Sequence, residues 1–247
     1  ALHQVLNPAL GRKGMNLAEE LKGKKLLVGG IEGLSRFTGG SRDLNALQLF
    51  GNGAGVIGVV PGETMKFLVG SEHENFDQDG VLAVRMYYPH SRQKDAAGSL
   101  VELRQESANH LRLAGMMHEP DNGASIEMAG PMGMVKLFVR TGVEVVSEVY
   151  RAYTALMQRL GTPERLPEVG IVHHANYKIN QLKRKHLEKL GISFPMPWLL
   201  SEFGNVSAAS NMIAFLRQLP QMRPGQHILI DGFGAGTYYD VLAVELG

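Results

Sequence analysis

The C-terminal end of the chain limits its fold most. Two near-continuous apolar runs, Ile228 to Ile230 and Tyr239 to Leu246, are joined by the glycine-rich turn Asp231-Gly-Phe-Gly-Ala-Gly236. Strands of that kind are covered on both faces, so helices must lie on either side of them. The preceding sequence supplies those helices. From Val143 to Leu160, the residues Val145, Val149, Tyr153, Leu156 and Leu160 recur at three- and four-residue steps, which gives a helix one apolar face. Gly161 and Pro163 end it. A buried strand is predicted over Glu168-Val-Gly-Ile-Val172, then a basic helix from Asn176 to Leu190 and a loop through Ser193 to Trp198. A last helix, Ser207 to Leu219, is opened by serine as an N-cap residue and stopped by Pro220. This alternation suits a layered α/β/α domain.

The N-terminal third reads as less regular. Pro8 to Leu21 is helix-like but broken by Gly11 and Gly14, Lys25 to Gly29 is a short buried strand, and Phe50 to Val60 is a second strand introduced by glycines. Residues 63–127 carry acidic and amide-rich loops, with strands expected around Val81 to Tyr88.

Charge and composition exclude several functions. The chain holds 25 basic and 24 acidic residues, too even a balance for nucleic acid or an anionic membrane as the main partner. No apolar run approaches the roughly 20 residues that span a bilayer. The first residues also lack the basic-then-apolar pattern of a leader, so a cytoplasmic location is expected. The absence of cysteine rules out disulfides and thiolate metal sites. His173 and His174 would face opposite sides of a continuing strand and make a poor metal clamp, so no metal is expected. Gly51-Asn-Gly-Ala-Gly55 lacks the spacing of a dinucleotide fingerprint, and no Walker sequence or Gly-x-Ser-x-Gly elbow occurs.

Three stretches remain: Ile171-Val-His-His-Ala-Asn-Tyr-Lys-Ile179, Phe203-Gly-Asn-Val-Ser-Ala-Ala-Ser210 and Asp231-Gly-Phe-Gly-Ala-Gly236. Their order and spacing resemble the C-terminal half of β-ketoacyl-acyl-carrier-protein synthase III, a condensing enzyme of the thiolase superfamily. Gly30-Ile-Glu32 and Phe50 to Gly55 also match the family's order, with Asn52 where the relatives carry aspartate. Ile126 to Arg140 resembles the family's lead into its second half, with one extra residue before Lys136.

The resemblance implies a thiolase-like layered α/β/α fold, its C-terminal half complete and its N-terminal half only partial. Residues 1–62 would be the tail of the first half, 63–127 an elaborated linker and 128–247 the second half. It implies acyl transfer and decarboxylative Claisen condensation of an acyl thioester with a malonyl thioester. His173 and Asn205 would be the catalytic donors to the enolate oxygen, and the backbone N–H of Gly236 the donor to the acyl-enzyme oxyanion. Asn176 and Phe203 would meet the pantetheine arm, and Lys136, Lys178, Lys183 and Arg184 would face an acidic carrier protein. No resident cofactor is implied, because coenzyme A or phosphopantetheine thioesters are substrates. A homo- or heterodimer is expected, with acyl carrier protein or acyl-CoA as partner.

The relatives hold the acyl group on a cysteine, and this chain has none. By the resemblance, the nucleophile position falls within the first few residues or just before Ala1, so the cysteine is expected from a missing N-terminal piece or a partner chain. An unpaired apolar sheet edge would call for the same complement. Transfer to an alcohol or amine, with His173 as general base, is the rival reaction. An inactive binding or scaffold subunit is the other reading. By residue type alone, His173 also fits a satisfied residue after a strand, Asn205 a turn or cap residue, and the lysines a solvated helix face.

Overall fold

A computed structural model describes residues 1–11, 14–34, 48–74, 84–87, 116–117, 125–128, 135–234 and 238–247. Its centre is a four-stranded sheet made by β3 (Met65–Glu74), β9 (Tyr238–Leu246), β8 (His227–Gly234) and β7 (Val169–Ile171), in that order. β7 and β8 are parallel, with Ile171 opposite Ile230, while β8/β9 and β9/β3 are antiparallel. The apolar runs of β8 and β9 are buried on both faces, as their composition requires.

One face is covered by α3 (Gly142–Arg159), with α4 (Tyr177–Lys189) beside it. Val145, Val149 and Tyr153 lie buried along α3 as the periodicity predicts, but Met157 completes the face and Leu160 is 61% exposed. Leu160 is already the C-cap of α3, where the helix turns away from the sheet.

The other face carries α1 (Leu2–Leu6) and α6 (Ala208–Gln218). Beyond them lies the antiparallel pair β1 (Leu26–Gly33) and β2 (Asn52–Val59). α6 therefore sits between two sheets, and small residues allow it. A Cβ at Gly30 would stand 2.6 Å from the Ala209 backbone nitrogen, and one at Gly55 2.6 Å from the Met212 Cβ. The layered α/β/α half is thus present, with a partial second sheet stacked on it.

Two expectations change. The predicted helix-like run from Pro8 to Leu21 is a 3-10 turn, Pro8–Leu10, followed by the short α2 (Leu17–Glu20). β3 belongs to the main sheet, paired along β9, although it falls in the span expected as linker. A third sheet orders β5 (Met116–Met117), β4 (Val84–Tyr87) and β6 (Ser125–Met128). No helix among the described residues is long and apolar enough to cross a membrane.

Candidate functional site

His173 lies two residues past the end of β7, where the ladder to β8 stops. Its backbone N–H is taken instead by the Asp231 carboxylate, at 3.1 Å from Oδ1. Its carbonyl accepts from Asn180 Nδ2 at 2.9 Å. Asn180 Oδ1 in turn accepts the N–H groups of Ala175 and Asn176, at 3.2 and 3.4 Å. One amide side chain on the first turn of α4 thus ties down the whole loop from His173 to Asn176.

The His173 ring is stacked on Phe138, 5.8 Å between centres, with Phe233 6.1 Å away. Phe138 comes from a π-helical turn, Val135–Thr141, that leads into α3. Burial pushes the His173 pKa down to about 4, with Asp231 opposing and His174 and Lys183 reinforcing. The imidazole is therefore neutral at pH 7 and keeps one N–H to donate. Among the described residues, neither ring nitrogen makes a hydrogen bond.

His174 has a different role. It is 1% exposed, its Nε2 accepts the Leu199 N–H at 3.1 Å, and burial lowers its pKa. It pins the loop that precedes α5 (Leu200–Phe203).

Asn205 is brought beside the histidine loop: its Nδ2 donates to the Ala175 carbonyl at 3.1 Å. Its Oδ1 accepts from Ser207 N at 2.9 Å. A primary amide carries a second N–H. The backbone here is unusual. Ser207 has φ of 49°, a non-glycine residue in the left-handed region. Its hydroxyl does not cap α6, as the sequence had suggested. Ser210 Oγ accepts the Val206 N–H at 3.2 Å instead, and Glu32 on β1 lies close to Ser207 and Ala208. Burial raises the Glu32 pKa, with the nearby Ala208 and Ser207 opposing, and its carboxylate faces the positive end of α6.

Lys183 corrects an expectation. It does not join the basic surface but is buried, with its ammonium paired to Asp231 Oδ2 and hydrogen-bonded to the Tyr239 hydroxyl. Asp231 is completely buried, and Tyr239 nearly so, its pKa driven well up by burial and by Asp231. The main chain fits round this group: a Cβ at Gly142 would stand 2.5 Å from the Tyr239 hydroxyl. Sequence reasoning missed Asp231, Asn180 and Lys183 as one unit. The signal was present, since Asn180, Lys183 and Leu187 share one face of α4 at three- and four-residue steps and are its buried residues.

The remaining expected positions are scattered round this centre. Asn176 is the N-cap of α4, accepting the Lys178 N–H at 2.9 Å, and Lys178 itself is exposed. Arg184 lies 4.8 Å over the Trp198 ring, which Tyr177 meets edge-on at 5.6 Å. Phe203 is half-buried under Arg217, 5.9 Å from ring to guanidinium, and borders a small cleft with His174 and Val206. The Lys136 side chain and Gly236 lie outside the described residues. As for metals, His3, Glu72 and Asp240 offer ligand atoms within 4.8 Å of one another. His3 is already committed, with Nδ1 2.6 Å from Asp240 and Nε2 3.0 Å from Asn7.

The family profile for 3-oxoacyl-[acyl-carrier-protein (ACP)] synthase III, C terminal, matches residues 167–246, which contain His173, Asn205 and Asp231. Residues 167–246 are synthase III-like. Its structure is similar to that of 3-oxoacyl-[acyl-carrier-protein] synthase III from Aquifex aeolicus VF5, at 27% identity and a TM-score of 0.54. That match covers 90% of this chain and 57% of the Aquifex chain. The β-ketoacyl-[acyl carrier protein] synthase III of Thermus thermophilus matches at 22% identity and TM-score 0.58, over 90% of this chain and 59% of the other. The synthase III of Pseudomonas aeruginosa PAO1 matches at 22% and 0.60, with the same coverage. These two share the fold. The chain thus spans less than two thirds of the length of the enzymes it resembles. No curated protein sequence matches it.

Proposed function

We propose that this chain is the C-terminal catalytic part of a synthase III-like condensing enzyme. His173 and Asn205 donate to the thioester oxygen that becomes negative when a malonyl thioester loses carbon dioxide. The observation that carries this reading is the joining of the two loops, Asn205 Nδ2 to Ala175 O at 3.1 Å, beside a histidine that burial keeps neutral. A neutral imidazole and a fixed amide stabilise an enolate oxygen as donors, without a strong base. Gly236, which follows β8 in the sequence, supplies the second oxyanion donor, to the acyl-enzyme.

The acyl group is held on a cysteine from a complementary α/β segment or partner chain. The support for a complement is the outer face of β1 and β2, where Leu27 is 83%, Ile31 77% and Val56 45% exposed. The register sets these three on one side of the pair, with Val56 opposite Gly29 between them. Apolar patches of this kind mark places where another element packs. Coenzyme A or carrier-protein thioesters are the substrates, and exposed Lys178 with Arg184 forms the face toward an acidic carrier protein.

The test is to combine the chain with a cysteine-bearing N-terminal synthase III segment and supply acyl and malonyl thioesters. Release of carbon dioxide with formation of the β-ketoacyl product is expected. Acyl transfer without carbon dioxide release would replace condensation by transfer to an alcohol or amine. No turnover by a stable complex would leave a binding subunit.

A further inference from the structure

We propose that Asp231, clamped by Lys183 and Tyr239, is the positioning residue that fixes His173 at the end of β7. The inference deepens the reading of His173 as the donor at the site and rests on it. Every part of the clamp is buried: Asp231 is 0% exposed, Tyr239 2% and Lys183 7%. The carboxylate divides its two oxygens. Oδ1 takes the His173 N–H at 3.1 Å, and Oδ2 takes the Lys183 ammonium. Lys183 also bonds the Tyr239 hydroxyl, and that hydroxyl lies 3.5 Å from Oδ1. Asn211 Nδ2 holds the Asp231 carbonyl at 2.6 Å, so the backbone that bears the carboxylate is fixed as well.

A buried ion pair contributes little net stability compared with an apolar pair of the same volume. Its retention at this place is explained by what it holds. The next backbone donor after the β7/β8 ladder would be unsatisfied without an acceptor, and a carboxylate can fill that place only with a cation beside it. The same cation offsets the carboxylate's pull on a proton, which otherwise favours imidazolium at His173. Among the described residues, the charged and titratable groups acting on the ring are Asp231 on β8, Lys183 on α4 and His174 on its own loop, with Tyr239 on β9 bonded to Lys183. Asp231 favours the charged ring, and Lys183 and His174 oppose it.

The experiment follows the His173 imidazole and backbone amide by NMR in the full chain with labelled histidine, assigned by their loss in His173→Gln. In Lys183→Met the imidazole should begin to protonate above pH 5, with its midpoint at least one unit above the wild type. In Lys183→Met/Asp231→Asn, which keeps an amide oxygen for the His173 N–H but no charge, the midpoint should return to the wild-type value or below. In Lys183→Met/Asp231→Leu, which has neither charge nor acceptor, the His173 amide should exchange at least tenfold faster than in the Asn double variant. An unmoved midpoint in Lys183→Met overturns the proposal, as does equal exchange in the two double variants. If Lys183→Met fails to fold, the two double variants decide, because neither buries an unpaired charge. These readouts need no turnover. Absence of malonyl decarboxylation in the completed wild-type enzyme would therefore remove the catalytic reading while leaving the clamp measured.

Discussion

Asp231 and His173 are joined where β7 leaves the sheet: a carboxylate with no solvent exposure accepts the histidine backbone N–H at 3.1 Å, in place of the next rung of the strand ladder. The site hangs from this contact, because the loop that it begins carries Ala175, to which Asn205 is bonded.

Removing one partner of the ion pair should cost more than removing both. Lys183→Met leaves the Asp231 carboxylate charged and unpaired in a buried place, at a cost of about 3–5 kcal/mol. Lys183→Met/Asp231→Leu should recover much of that loss. Urea unfolding of the wild type and both variants measures it, and equal losses would contradict the account.

Acid should weaken the fold through His173. The folded-state pKa is lowered to about 4 against an ordinary value near 6.5, so between those limits the unfolded chain binds the extra proton. The contribution is fully present above pH 6.5 and is lost as the pH falls toward 4, on the order of 3 kcal/mol in total. His174 shifts in the same direction. Unfolding free energies from pH 7.5 to 4.5 should therefore fall less steeply in His173→Gln than in the wild type.

Close packing of α6 against β1 predicts a pair of contrasting glycine variants. Gly30→Ala puts a methyl 2.6 Å from the Ala209 backbone nitrogen, and the helix must move, at about 1–3 kcal/mol. Gly58→Ala, on β2 with nothing within 4 Å of the new atom, should change stability by less than about 0.5 kcal/mol. Thermal unfolding of the two side by side gives the answer.

Asn205→Ala in the completed enzyme should slow malonyl decarboxylation about 10²–10³-fold, the usual effect of losing one oxyanion donor. Circular dichroism should show the fold intact. A loss below threefold would assign Asn205 to the turn alone.

Leu27→Lys with Ile31→Lys should abolish association with a cysteine-bearing complement while leaving this chain as stable as before, because both side chains are already exposed. Native mass spectrometry reads the complex directly.

Local rules in the sequence determined the elements. Near-continuous apolar runs marked β8 and β9, a 3.6-residue apolar stripe marked α3, and a serine start and proline stop marked α6, all to within a few residues, since such signals depend on neighbours a few positions away. The motif order placed His173 and Asn205 on loops that the fold does bring together. Local pattern could not choose the edges of a buried face, which is why Met157 is inside and Leu160 outside. It also could not separate one lysine of α4 from another. Lys178 is solvated and Lys183 is buried because a carboxylate 48 residues away, on a strand, arrives beside only one of them. Ser207 looked like a helix cap, yet its backbone N–H goes to Asn205, its hydroxyl caps nothing, and it sits at positive φ. Sequence by itself determined most strands and helices of the second half and the two loops that meet at Asn205 and Ala175. Only the tertiary structure decided which polar groups go inside, because burying a charge depends on a partner brought from a distant part of the chain.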